Sequence, residues 1–511
     1  MKWIVKGIAP EMMLGVEHLI GLFDEDAQVD VETKTGRDES VVTIQIKLNR
    51  EEAQGKLFVS AVLLAPDGQQ FESRREAEGF ATEELGSEHE RSTRKRLKQP
   101  LHFALLDVLE RHTGLQQPWG ILTGVRPTKL LHQRVQKQQS RAMRQQQLSE
   151  QFGIQPRKIE LMERIVERQL EVVPDLYDLK GEVSVYIGIP YCPTKCAYCT
   201  FPAYAINGRQ GDVNSFLGGL HYEMRQVGQR LKELGIRVTT VYFGGGTPTS
   251  ITAEEMDMLY EELFASFPEP ASIREITVEA GRPDTITPEK LNVLKKWGIH
   301  RISINPQSYI QETLKAIGRH HTVEETIEKF HLARQMDMDN INMDLIIGLP
   351  GEQLPEFMHT LQETEKLMPE SLTVHTLSFK RASEMTRNKE KYKVADRQEI
   401  GRMMEAAEAW TLHHGYEPYY LYRQKNILGN LENVGYCLPG KESIYNIMIM
   451  EEMQTILGLG CGASTKWVHP QTGKIERFAN PKEPKAYNDH FEHYTQQKIE
   501  KLNAWFANHH N

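Results

Sequence analysis

Cysteine is scarce in this chain, with five residues in 511 and no arrangement that reads as a disulfide framework. Such sparse use suits a reducing, cytoplasmic setting. Long hydrophobic runs are also missing. No stretch approaches the ~20 apolar residues of a membrane span, and the opening MKWIVKGIAPEMML lacks the apolar centre of a secretory signal. An excess of positive charge is absent too. The net charge of −9 gives no basis for nonspecific nucleic-acid binding. The basic residues Arg91, Arg94, Lys95, Arg96 and Lys98 follow an acidic run from Glu83 to Glu90 and read as a solvated helix face. What remains, 39% hydrophobic and 26% charged residues, describes an ordinary globular protein of two to four domains.

The few cysteines are not scattered. Cys192, Cys196 and Cys199 fall within eight residues, in YIGIPYCPTKCAYCTF, with the spacing CxxxCxxC. A structural zinc ion usually takes four protein ligands, so this triplet would need a distant histidine to complete such a site. A cubane [4Fe-4S] cluster held by three thiolates instead keeps one iron open to bind another molecule. The open iron points to chemistry started by reducing a cofactor bound there.

The middle of the chain alternates strand and helix patterns. Apolar, β-branched runs occur at 183–190, 239–248, 274–280, 300–308, 340–350 and 371–379. Helical periodicity separates them, as in EEMDMLYEELFASF, PEKLNVLKKWG and EETIEKFHLARQM. This order predicts an α/β fold with a parallel sheet, right-handed crossovers and six units, hence a partial (β/α)6 barrel. Functional residues belong at the C-terminal strand ends. The first strand runs into the cysteines. The second ends in Gly244-Gly245-Gly246-Thr247-Pro248-Thr249, where glycines permit positive φ and close backbone approach to a ligand. The third ends at Glu279, the fourth at Gln307, and the fifth carries Asp344 before Gly348-Leu349-Pro350.

The cysteine run, GGGTPT, TVEAG, RISINPQS and MDLIIGLPGE resemble the radical S-adenosylmethionine (SAM) superfamily, and within it the oxygen-independent coproporphyrinogen III oxidase/dehydrogenase group. The likeness spans about residues 181–465, and the long N-terminal extension resembles a coproporphyrinogen dehydrogenase-like branch. It implies that Cys192, Cys196 and Cys199 bind the cluster, whose free iron takes the amino and carboxylate groups of SAM. It implies that Tyr186, Tyr198, Gly245 and Glu279 contact this first cofactor molecule. Gly246, Thr247, Gln307, Arg319 and Asp344 correspond to contacts with a second SAM, and Ser378 to a backbone contact. The implied reaction uses a 5′-deoxyadenosyl radical to take hydrogen from propionate side chains of coproporphyrinogen III, giving protoporphyrinogen IX and carbon dioxide. The implied electron donor is reduced flavodoxin or ferredoxin.

Two stretches depart from the oxidase pattern. That group has a fourth cysteine two residues after the last cluster ligand, where this chain has Phe201; haem-chaperone relatives carry an aromatic residue there. The chaperones also have a downstream His-Asn-x-x-Tyr-Trp haem motif, and the matching stretch here is Glu432-Asn433-Val434-Gly435-Tyr436-Cys437. Two other functions therefore stay open: a haem-trafficking protein with a regulatory cluster, and a radical SAM porphyrin methyltransferase or ring-opening enzyme. Cys437 and Cys461 read as buried small side chains. The expected domains are a small α+β domain at 1–80, a helical connector at 81–180, the barrel at 181–380, and a helical C-terminal domain at 381–511 covering the substrate cavity.

Overall fold

A computed structural model of the 511-residue chain describes residues 2–24, 26–31, 41–51, 56–77, 87–124, 126–206, 212–299, 301–380, 383–424 and 427–507. The chain forms two compact units, Met1–Glu163 and Arg164–Asn511. The expected domain boundary at 80/81 and the acidic residues Glu83 and Glu84 lie outside the described residues.

The first unit holds strands β1 (Lys2–Lys6), β2 (Gln28–Val31), β3 (Val42–Glu51), β4 (Lys56–Leu64) and β5 (Gln70–Ala77), with helices α1 (Pro10–Ile20), α2 (Ser87–Thr113), α3 (Thr128–Gln136) and α4 (Arg141–Phe152). Its sheet has the order β2-β1-β3-β4-β5. Val16 and Leu19 of α1 and Leu101, Leu105 and Val108 of α2 share a core with Trp3, Val5, Ile44 and Leu63. The helical residues 87–113 thus complete the α+β core, because their apolar stripe covers one sheet face. Helix α5 (Pro156–Val172) contains the division between the units.

The second unit is built on β6 (Val183–Ile189), β7 (Tyr191–Cys192), β8 (Tyr204–Ala205), β9 (Val238–Gly245), β10 (Glu275–Val278), β11 (Arg301–Ser303), β12 (Asn340–Ile347), β13 (Ser371–Thr376), β14 (Glu417–Tyr422), β15 (Asn433–Cys437), β16 (Thr455–Gly460), β17 (Ser464–Val468) and β18 (Ile475–Ala479). Strands β6, β9, β10, β11, β12 and β13 lie side by side in sequence order, all parallel. These are the six runs read from the sequence. The intervening helices are α6 (Val213–Glu233), α7 (Ala253–Ser266), α8 (Pro288–Lys296), α9 (Gln311–Ala316), α10 (Val323–Gln335) and α11 (Leu354–Leu367). Several of their starts are fixed by side-chain caps. Asp212 accepts from Asn214, Thr322 accepts from Glu325, and Thr252 with Glu255 forms a reciprocal capping box.

The C-terminal region differs from the expected helical domain. It contains α12 (Glu384–Arg387), α13 (Arg397–His413), α14 (Ile444–Glu451) and α15 (Pro484–Ala507), but also the five strands β14–β18. These strands extend the parallel core at both edges, giving the order β14-β15-β13-β12-β11-β10-β9-β6-β16-β17-β18. Strand β16 (TILGLG) pairs parallel with β6 and is buried on both faces, so it lacks the alternation that marks a strand.

Candidate active site

The cysteine loop is fixed largely by backbone hydrogen bonds. Cys192 ends β7, which pairs with β8 after the chain doubles back, and the Ile206 amide donates to the Cys192 carbonyl at 3.1 Å. The Cys199 amide donates to the Cys196 carbonyl at 3.1 Å, closing a turn. Between them, Ala197 donates to Ile317 O at 2.9 Å and accepts from the Met385 amide at 3.1 Å. Thr194 Oγ1 donates to Gly318 O at 3.2 Å, while Arg282 Nη1 donates to the Thr194 carbonyl and hydroxyl at 3.1 and 3.0 Å. Elements from three distant places therefore hold one short loop.

All five cysteines are free thiols. Burial pushes the Cys192 thiol up to about 12, and burial likewise raises Cys199. Among the described residues no three His, Cys, Asp or Glu side chains close on a single metal ion. A tetrahedral ion needs its donors within about 2.3 Å of one point. A cubane cluster, with one thiolate per iron, spreads its ligands further apart, which suits three thiols on an open loop. Phe201, where the oxidase group has its fourth cysteine, is 56% exposed.

The glycine run serves this loop from beneath. Gly245 has φ +112°, and a Cβ there would lie 2.7 Å from the Ile189 carbonyl oxygen. A Cβ on Gly246 would lie 2.4 Å from the Tyr191 carbonyl oxygen. The close approach expected toward a ligand is thus an approach of β9 to the backbone of β6 and β7. The Gly246 and Thr247 amides donate to Ile189 O and Tyr191 O at 2.8 and 2.7 Å, and Thr247 Oγ1 sits 3.4 Å from Cys192 Sγ. Gly246→Ala should therefore destabilise the fold by about 1–3 kcal/mol, since backbone cannot yield as a side chain can. It should also speed alkylation of Cys192. A urea midpoint and Cys192 labelling rate both equal to wild type would contradict this account.

Beyond the loop, side chains from the strand ends converge inside the sheet's curve. Tyr186, Tyr242 and Tyr445 stack in succession, with centroids 6.1 and 4.6 Å apart. Over Gly244, a Cβ would meet Tyr242, Glu279 Oε2 and Tyr186 within 3.1 Å, so these three groups share one small space. Burial and the nearby Asp344 carboxylate push the Glu279 carboxyl up to about 8.

Gln307 has φ +66° and bridges β12 through its backbone, donating to Asp344 O at 2.9 Å and accepting from Ile346 at 3.0 Å. Its buried side-chain Oε1 has no hydrogen-bond partner among the described residues. The buried Arg319 donates through Nη2 to the Gly281 and Asn305 carbonyls, at 2.9 and 2.7 Å, and through Nη1 to the Tyr198 hydroxyl at 3.4 Å. Its Nε has no partner among the described residues. The guanidinium therefore braces two strand ends against the cysteine loop. Ser378 is buried just past β13 and bridges Ile427.

Asp344 is already engaged. Asn342 Nδ2 donates to its Oδ1 at 2.8 Å, and His375 Nε2 lies 3.5 Å from its Oδ2. Burial opposes ionisation, but His375, Asn342 and Thr373 together hold this carboxyl below its ordinary value. His375 Nδ1 in turn meets the Tyr422 hydroxyl at 3.2 Å. The structure thus brings the thirteen expected residues to the cysteine loop and the strand ends around it. It adds Tyr242, Tyr445, His375, Tyr422 and Arg282, which the sequence reading passed over. A histidine inside SLTVHTLSF was the visible signal for one of them.

The stretch Glu432–Cys437 is not a surface motif. Asn433–Cys437 form β15, between β13 and β14, and Glu432, Tyr436 and Cys437 are each at most 3% exposed. Burial and the Glu442 carboxylate raise the Cys437 thiol well above its ordinary value.

Residues 186–364 match the family model of the radical SAM superfamily. The chain is 68% identical over 417 residues to the oxygen-independent coproporphyrinogen-III oxidase-like protein HemZ of Bacillus subtilis, covering 82% of this chain and 83% of the relative. It is 33% identical over 194 residues to the heme chaperone HemW of the same organism, covering 38% of this chain and 50% of that one. The solved structure of Escherichia coli coproporphyrinogen III oxidase HemN superposes with a TM-score of 0.50 at 21% identity, over 64% of this chain and 72% of the other, which establishes the shared fold. The chain belongs to the radical SAM superfamily, in its oxygen-independent coproporphyrinogen III oxidase-like family.

Proposed function

We propose that the chain catalyses oxidative decarboxylation of coproporphyrinogen III to protoporphyrinogen IX. The observation carrying this reading is the convergence of the three-cysteine loop and the polar strand-end residues on one interior space. Cys192, Cys196 and Cys199 would hold a [4Fe-4S] cluster, with Tyr186, Tyr198, Gly245 and Glu279 around a first SAM. The cluster and SAM, when bound, supply a 5′-deoxyadenosyl radical able to take hydrogen from a propionate β-carbon. The chain's own residues position the ligands and exclude water. Glu279 suits a cofactor ammonium, because a cation beside its carboxyl favours the ionised form that burial opposes.

Gln307 and Arg319 fit a second ligand with donor and acceptor groups, since Gln307 Oε1 and Arg319 Nε are buried without partners among the described residues. Gly246, Thr247, Asp344 and Ser378 complete that set, whether the second ligand is another SAM or the tetrapyrrole. The exposed Lys195 and Phe201, beside the cysteines, form a surface suited to a reduced flavodoxin or ferredoxin.

A haem-chaperone reading is favoured by Phe201 and by the partial likeness to HemW. Against it, Glu432 is buried just before β15, Tyr436 and Cys437 are buried within it, and the three present no surface for a macrocycle. Anaerobic, iron–sulfur-reconstituted protein given reductant, SAM and coproporphyrinogen III should form protoporphyrinogen, carbon dioxide and 5′-deoxyadenosine. Formation of 5′-deoxyadenosine with no vinyl product would sink the oxidase reading. In a haem titration, Cys437→Ala should leave the spectrum unchanged from wild type; a Soret band present in wild type and lost in that variant would restore the chaperone. Isotope from the SAM methyl group in the product would mark a methyltransferase.

A further inference from the structure

We propose that Tyr422, His375 and Asp344 form a relay that removes the carboxylic proton of a ligand bound inside the barrel. The inference rests on the decarboxylation reading and assigns its proton step.

The three groups come from three strands. Asp344 lies on β12, and His375 follows on β13, two residues beyond Thr373, the residue paired with Asp344. Tyr422 lies on β14, which is separated from β13 by β15. An intervening strand would normally keep its neighbours apart. Here β15 carries Gly435 opposite Thr373 and Tyr420, and a Cβ on Gly435 would sit 1.9 Å from Tyr420 Cε1. The Tyr420 ring therefore crosses β15 over Gly435 and its hydroxyl reaches Thr373 Oγ1 at 3.1 Å. Tyr422, two residues on and on the same face, reaches His375.

The hydrogen-bond directions follow from the donor inventory. Asp344, held below its ordinary value, accepts hydrogen bonds, so a His375 ring bearing a single N–H carries it on Nε2, toward Asp344. Nδ1 is then an acceptor, and the Tyr422 hydroxyl donates to it across 3.2 Å. Gln424 Nε2 donates to the Tyr422 oxygen at 3.4 Å. Burial and Asp344 raise the Tyr422 phenol above its ordinary value, so it keeps its hydrogen. Asp344, His375 and Tyr422 each keep some accessible surface within the sheet's curve.

Decarboxylation proceeds from a carboxylate. The burial that raises Glu279 acts equally on a carboxyl bound beside it. The ligand O–H bond breaks as its proton passes to the Tyr422 oxygen. The Tyr422 hydrogen passes to His375 Nδ1, forming an imidazolium paired with Asp344. One proton moves in total and no electron, and proton loss to solvent restores the relay. Asp344 acts here as a positioning residue, setting the tautomer and stabilising the imidazolium. The titratable groups facing this set are Tyr420 from β14, Tyr242 from β9 and Glu279 after β10.

Two measurements on the full chain test the relay. In nitrogen-15 histidine spectra, assigned by difference with His375→Gln, the neutral ring should be protonated at Nε2. Tyr422→Phe should shift the Nδ1 resonance. A ring protonated at Nδ1 overturns the proposal. With reconstituted protein, the carbon dioxide released per 5′-deoxyadenosine should depend on pH in wild type. In Tyr422→Phe and His375→Gln this ratio should fall by about a hundredfold or more and lose the pH dependence. An unchanged ratio and profile in Tyr422→Phe overturns the relay. If wild type yields no vinyl product, the decarboxylation reading fails and the tautomer measurement alone decides the hydrogen-bond chain.

Discussion

Cys199→Ser is expected to lose the iron–sulfur absorption and reduce SAM cleavage to background, with folding intact. The cluster would rest on three thiolates from one loop, and serine oxygen is a poor replacement for a soft thiolate. No other cysteine can take the vacancy. Cys437 is fully buried within β15, and Cys461 is 2% exposed with its Sγ donating to the Pro481 and Lys482 carbonyls, both at 3.3 Å. The loop itself should survive, because its fixed points are backbone bonds from Ile317, Met385 and Ile206 rather than sulfur contacts. Iron content, visible absorption and 5′-deoxyadenosine yield should all fall together, and Cys461→Ala should retain all three. A Cys199→Ser protein that still assembles the cluster and cleaves SAM would refute the ligand assignment.

The largest stability effect is expected at Glu223. This α6 carboxylate is fully buried and accepts from the Gly460 amide at 2.7 Å, Asn480 Nδ2 at 2.9 Å and the Tyr487 hydroxyl at 2.7 Å. It also pairs with Lys498 of α15, itself 1% exposed, whose Nζ donates to the Gly458 carbonyl at 2.5 Å. Burial lowers the Lys498 ammonium below its ordinary value, while Glu223 acts to keep it charged. Removing Glu223 leaves a buried cation and three donors without their acceptor. Glu223→Ala should cost about 3–5 kcal/mol, read from the denaturant midpoint, with loss of amide-exchange protection along α15. The paired change Glu223→Leu with Lys498→Met should recover part of that loss, since both desolvated charges are gone while the Gly460, Asn480 and Tyr487 donors stay unpaired. A single-variant loss below about 1 kcal/mol would mean that the pair does not hold the helix.

Legibility in the sequence depended on the range of the interaction. Strand β6 and strands β9 to β13 were visible because each is an apolar run bounded by turn residues and followed by a helical period. Glu279, Gln307 and Asp344 stood out as polar residues at the ends of those runs. The left-handed backbone of Gln307 carried no such signal, because it follows from pairing with Asp344 and Ile346 across the sheet. The roles of the glycines were legible only by half. Close approach was foreseen at Gly245 and Gly246, but the approaching partners are Ile189 and Tyr191. The strands of the C-terminal region escaped because short, doubly buried segments such as TILGLG show no alternation and lie between helices.

The sequence by itself determined the superfamily, through three cysteines at fixed spacing and the motifs at the strand ends, and the barrel, through repeated strand and helix periods. Both signals are local, set within a loop or a single element. Only the tertiary structure decided which groups stand free to act. It tied Arg319 to backbone carbonyls, committed Asp344 to His375, and passed Tyr422 across β15 to meet them. Tyr422 and His375 are 47 residues apart, and their contact exists because sheet order and Gly435 bring distant strands within hydrogen-bond reach.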